Sequence, residues 1–141
     1  MLLFPPPRFA IACDTAAIVV FAVIGNLSHH GDVSIRGLAR DVLPLLGGWL
    51  AAGFLFGLYT GMKRGTYAPP ALWRFFATWF AGVTAGVVVR AAILGHTQVG
   101  KEASFLAVAL VFTLLFASAA RVLTTWALRR ARPRAHRRAS P

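Results

Sequence analysis

Four apolar stretches, each about as long as a lipid bilayer is thick, take up most of this chain. They run over residues 9–27, 42–60, 71–94 and 103–128, and short breaks rich in Gly, Pro and charge separate them. At about 1.5 Å per helical residue, even the shortest comes close to crossing ~30 Å of hydrocarbon. The expected fold is therefore all-α: an integral membrane bundle of four transmembrane helices. Composition agrees, with 57% hydrophobic and 13% charged residues, where a soluble domain devotes about a quarter to charge. Such apolarity also excludes an intrinsically disordered chain. In 141 residues, four spans leave no room for a soluble catalytic domain.

A cleavable leader is the natural competitor for the first stretch. Its apolar run is too long for that role, holds Asp14, and lacks a small-x-small exit before Asn26. It is read as a true helix. Residues 1–8 form a lead-in whose Pro5-Pro6-Pro7 run stays extended until helical geometry begins. Residues 129–141 form a basic tail carrying Arg129, Arg130, Arg132, Arg134, Arg137 and Arg138, six of the 15 Lys and Arg residues.

Lys and Arg resist translocation, so their distribution sets the expected threading. With both termini in the cytoplasm, that side holds Arg8, Lys63, Arg64, Arg74 and the six tail arginines, against Arg36, Arg40 and Lys101 outside. Ten against three assigns a multi-pass plasma-membrane protein with cytoplasmic ends. The net charge of +11 raises the question of nucleic acid, but no aromatic residue is interleaved in the tail for base stacking. The expected partner of the tail is instead the anionic headgroup surface.

Ionisable groups inside hydrocarbon cost a few kcal/mol each unless paired, hydrated or snorkelled. Besides Arg74 in the first turn of the third stretch, three fall inside the spans: Asp14, Arg90 and Arg121. Asp14 lies about 7 Å and Arg121 about 10 Å in from the same face, by helical rise. Opposite charges at similar depth predict an ion pair between the first and fourth helices, with the planar Arg121 fork suited to a carboxylate. It reads either as a structural clamp or as a proton-linked gate, and Arg121 could also snorkel alone. Arg90, near the outer end of the third helix, shares a stripe with Gly82 and Gly86. It is expected to face another helix, where Asp32, Glu102, His29 or His30 could meet it in an outer polar site.

Gly53, Gly57 and Gly61 recur every four residues in the second stretch and, with Gly82 and Gly86, are expected to be helix-packing positions. Pro44 falls near the start of that helix, where its missing donor costs nothing.

Parts for catalysis are scarce. His29-His30 with Asp32 does not make the spaced ligand set of a metal site, no phosphate-binding glycine loop can be written, and paired carboxylates are missing. Cys13 sits in an apolar run with no second cysteine. No catalytic residue, metal or cofactor is expected.

Asp14 opening the first helix, Gly25 and His29 closing it, Pro44 and Gly48-Trp49 in the second, Gly86 and Arg90 in the third, and Ser104-Phe105 then Arg121 in the fourth form a scattered pattern. Over about residues 12 to 122 it resembles the four-helix membrane family catalogued as domain of unknown function 3054. The resemblance implies four membrane helices and brings no activity, substrate or cofactor. It marks Asp14, His29, Arg90 and Arg121 as special positions. The position after Gly25, often arginine in that family, is Asn26 here. The expected role is that of a small non-enzymatic membrane protein, an accessory or scaffold subunit for a larger membrane protein or a homo-oligomer. A small transporter or channel, with a path between helices or on oligomerisation, is the alternative.

Overall fold

Pro7 is the first helical residue of α1 (Pro7–His30), where a missing N–H is harmless and a fixed φ is already helical. The amides of Phe9 and Ala10 both donate to the Pro6 carbonyl at 2.9 Å, which starts the helix. The computed structural model describes residues 5–30, 35–60, 62–63, 66–67, 70–95 and 99–137. After α1 come α2 (Ile35–Leu55), a two-residue antiparallel pairing of β1 (Met62–Lys63) with β2 (Thr66–Tyr67), α3 (Leu72–Leu94) and α4 (Val99–Arg137).

The β pairing, unforeseen in the sequence, lies between α2 and α3 and leaves the architecture all-helical. Four helices are long and apolar enough to cross a membrane. In a ring, α1 packs on α2 and α4, and α3 packs on the same two, so α1 and α3 are diagonal. Each neighbouring pair is consecutive in the chain or joins its two ends, and all four contacts are antiparallel.

α2 departs most from expectation. It begins seven residues before the expected Val42 and stops at Leu55, five before the expected Thr60. Apolar runs mark what sits in lipid, whereas a helix continues into the interface, so the exposed Arg36 and Arg40 belong to its first turns. Pro44 is consequently interior to α2 rather than near its start, and it leaves the Arg40 carbonyl without its helical donor. The early stop has a local cause. Gly57 takes φ +66°, its amide donates to the Phe54 carbonyl at 3.1 Å, and that of Leu58 donates to Gly53 at 2.8 Å. These are the two bonds of a Schellman ending, whose left-handed residue is most easily glycine.

The expected glycine ladder on α2 is therefore corrected: Gly57 ends the helix, Gly53 is covered by the Tyr59 ring of the same segment, and Gly61 lies outside the described residues. The close approach is made instead by Gly48 against Gly82 and Gly86. A Cβ on Gly48 would collide with the Gly82 carbonyl and the Gly86 amide, and one on Gly82 or Gly86 would collide with the backbone of Trp49 or Leu45. Backbones this near exchange dispersion contacts that lipid cannot replace.

The interior holds Ile18, Phe21, Leu45, Trp49, Phe75 and Val83. Large apolar side chains on every helix face outward, among them Val20, Leu43, Phe80 and Leu115. A protein in water buries such groups; in lipid they are in their solvent. This is a multi-pass membrane protein. α4 exceeds what a bilayer requires: 39 residues extend about 58 Å at 1.5 Å per residue. The tail expected from residue 129 is helical as far as Arg137; the side chains of Arg132, Arg134 and Arg137, and all of Arg138, lie outside the described residues.

Candidate functional site

Asp14 sits two turns into α1 and is wholly buried, as is Arg121 on α4. The structure brings them together. Arg121 Nε donates to Asp14 Oδ1 at 2.7 Å and Nη2 donates to Oδ2, a two-pronged pairing. Arg121 therefore does not snorkel to the surface, one of the alternatives open in its sequence. The face of Phe75 lies 5.0 Å from the guanidinium carbon, which places a polarisable ring where water would otherwise be needed.

Two further donors were not foreseen. Trp49 Nε1 reaches Asp14 Oδ2 at 2.9 Å and the Tyr59 hydroxyl reaches the same oxygen at 2.7 Å. The Trp49 N–H also lies 3.1 Å from the Tyr59 oxygen. Tyr59 arrives only because Gly57 reverses the chain after α2, so spacing along the sequence carried no signal for it. Trp49 carried a faint one, since an indole inside a span needs an acceptor. Three of the four donors converge on Oδ2 and one on Oδ1, so Oδ2 is crowded with donors. Burial above all, then the charge and hydrogen bond of Asp14, pushes the Tyr59 phenol far above its ordinary range, against smaller opposing effects of Arg121 and Trp49. It is therefore a hydrogen donor at every physiological pH.

Neighbouring groups are tied off locally. Cys13 Sγ shares a 3.0 Å hydrogen bond with Thr124 Oγ1, and Thr125 Oγ1 bonds back to the Arg121 carbonyl at 2.8 Å. Thr78 and Thr84 on α3 hold buried hydroxyls with no partner among the described residues.

At the far end, Arg90 Nε donates to Asp41 Oδ1 at 2.7 Å. The sequence pointed to Asp32, Glu102 or the histidines instead. Asp32 lies outside the described residues, as do the side chains of His29, His30 and Glu102, and the partner found is Asp41, which the extended α2 brings inside the bundle. Asn26 Nδ2 holds the other Asp41 oxygen at 2.8 Å, and the Arg90 guanidinium lies over the Phe105 ring at 4.3 Å. All four helices contribute.

Asp41 did have a signal. Trp49 opposes Gly82 and Leu45 opposes Gly86, so another four residues back on α2 and forward on α3 places Asp41 opposite Arg90. The glycine stripe thus encodes the pair, once the helix is known to start early enough.

Among the described residues no group of three or more His, Cys, Asp or Glu is arranged to hold a metal ion. None of the curated proteins matches the chain, and none of the solved structures does either. One family model does match, over residues 11–124, which includes both charge clusters and reaches into all four spans. The chain belongs to that family, described as protein of unknown function DUF3054.

Proposed function

We propose that this protein is a non-enzymatic subunit of the plasma membrane, serving as an accessory or scaffold to a larger membrane protein or assembling as a homo-oligomer, with both termini in the cytoplasm. The observation that carries this reading is the sealing of Asp14. Arg121, Trp49 and Tyr59 supply donors to both of its oxygens, and both members of the ion pair are wholly buried, which leaves no face of it open to a substrate. A buried pair held this way clamps helices in one arrangement. The outward surfaces of all four helices are apolar and suit contact with lipid or with another span. The excess of Lys and Arg at the terminal end supports the threading.

The experiment is native mass spectrometry of the full chain released in mild detergent. A defined homo-oligomer, or a stoichiometric complex with one larger membrane protein, is expected. A monomer that sustains solute flux in proteoliposomes, abolished by Arg90→Ala while the helices stay assembled, overturns the reading. It would favour a small transporter, for which the unpartnered hydroxyls of Thr78 and Thr84 would be the polar lining. For the threading, a reporter fused after Pro141 should be active only on the cytoplasmic side.

A further inference from the structure

Three arginines at the terminal end stack on aromatic rings: Arg8 on Phe9 at 5.0 Å, Arg74 on Trp73 at 5.7 Å, and Arg130 on Trp126 at 3.7 Å. They come from α1, α3 and α4. The level of the buried ion pair serves as a ruler, because Asp14, Arg121 and Phe75 meet there. Phe9 and Trp126 each lie five residues from it, about 7.5 Å, and Trp73 lies two, about 3 Å, toward the terminal end. Three rings within one helical turn of height form a band, and stacking holds the guanidinium groups to that band whatever the height of their own Cα atoms.

The other two stacked arginines, Arg90 and Arg121, hold the two described carboxylates. Arg8, Arg74 and Arg130 pair with neither. Trp73 and Trp126 are 59% and 48% exposed, and Arg8 and Arg130 are exposed as well. Arg74 Nη1 donates to the Gly57 carbonyl at 3.1 Å, yet its Nε is buried without any partner among the described residues. Stacking occupies only the faces of a guanidinium, and its in-plane N–H groups remain free to meet a phosphate.

We infer that Arg8, Arg74 and Arg130, each seated on its aromatic ring, form a belt that binds the phosphates of anionic glycerophospholipids and sets the depth of this end in the bilayer. The inference rests on the membrane placement above and not on the subunit role. It assigns site-bound lipid to the stacked band. Arg132, Arg134 and Arg137 stand on the continuation of α4, which leads out of the headgroup layer, and they attract the surface only diffusely.

The test is native mass spectrometry of the full chain from nanodiscs of phosphatidylcholine with and without phosphatidylglycerol. Retained phosphatidylglycerol is expected to fall about five-fold per belt arginine changed to Gln, the equivalent of roughly 1 kcal/mol per basic residue at an anionic surface. Arg8→Gln with Arg130→Gln is the primary variant, since both side chains are exposed and folding is not at stake; Arg74→Gln is added where the helices remain assembled. Arg132→Gln with Arg134→Gln and Arg137→Gln should leave retention unchanged. Full retention in the belt variant, equal loss in the tail variant, or equal retention of phosphatidylcholine overturns the belt. A protein that forms its oligomer or partner complex while retaining no phosphatidylglycerol refutes the belt alone, and a lipid-retaining monomer that transports solute refutes the subunit reading alone.

Discussion

At the terminal end of the bundle, Asp14 and Arg121 are sealed from all solvent and the carboxylate is met by donors from three segments of chain. At the far end, Asp41 and Arg90 form the same kind of pair, but their side chains keep 22% and 16% of their surface open. The chemistry is the same and the consequence differs. Removing one partner from the sealed pair strands a charge that no water can reach, whereas the open pair can rehydrate. The terminal end is thus the part of the molecule that tolerates no alternative arrangement, and the far end is a tether.

The largest effect that can break this contrast is Asp14→Ala, which should cost about 3–5 kcal/mol by taking the carboxylate from a buried Arg121, read as unfolding in a denaturing-detergent titration. Asp14→Leu with Arg121→Met should recover most of it, because the charge leaves with its partner. Swapping the charges, Asp14→Arg with Arg121→Asp, should rescue only in part, since Trp49 and Tyr59 would then donate toward a cation. A swap that behaves like wild type would mean that these two donors contribute nothing.

Next in size is the close approach between α2 and α3, which holds the two ends in register. Gly48→Ala should cost about 1–3 kcal/mol through overpacking, because its Cβ would meet backbone, while Gly47→Ala beside it meets nothing within 4 Å and should be near neutral. Equal effects at the two positions, measured by the same titration, would dismiss the proposed register.

Tyr59→Phe should cost about 1 kcal/mol, in keeping with side-chain hydrogen bonds between membrane helices. Its pH behaviour is more telling. The folded state raises the Tyr59 pKa, so this contribution is complete below the ordinary tyrosine range near 10 and falls as pH rises above it, where the unfolded chain releases the proton first. In the folded protein, the phenolate absorbance gained up to about pH 12 should be unchanged by Tyr59→Phe. A loss of half that amplitude would show Tyr59 to be accessible.

Smallest is Asp41→Asn, expected to cost about 1 kcal/mol or less for a partly open pair and to become milder still at high salt. A cost matching that of Asp14→Ala would erase the distinction between the two ends.

Much of this architecture was legible residue by residue. Asp14 and Arg121 were paired on depth alone, because two lone opposite charges at similar depth from one face have few other destinations. Gly82 and Gly86 announced a packed stripe. Gly57 misled, because a four-residue glycine repeat looks the same whether it continues a helix or ends it, and only the bonds of Leu58 and Gly57 to Gly53 and Phe54 decide. Asp41 falls just before the apolar run that begins at Val42, and charge at a helix start hides the helix from any reading based on apolarity.

Hydrophobicity adds up locally along the chain, so the four spans and the uneven spread of basic residues were settled by the amino acids in order, without reference to partners. Which carboxylate meets which arginine is not a local quantity. It depends on the offset between helices, which the Gly48, Gly82 and Gly86 backbones set by touching, and on a chain reversal that carries Tyr59 back into the bundle. Those contacts exist only once the helices have packed, and they made one charge pair immovable and left the other half in the open.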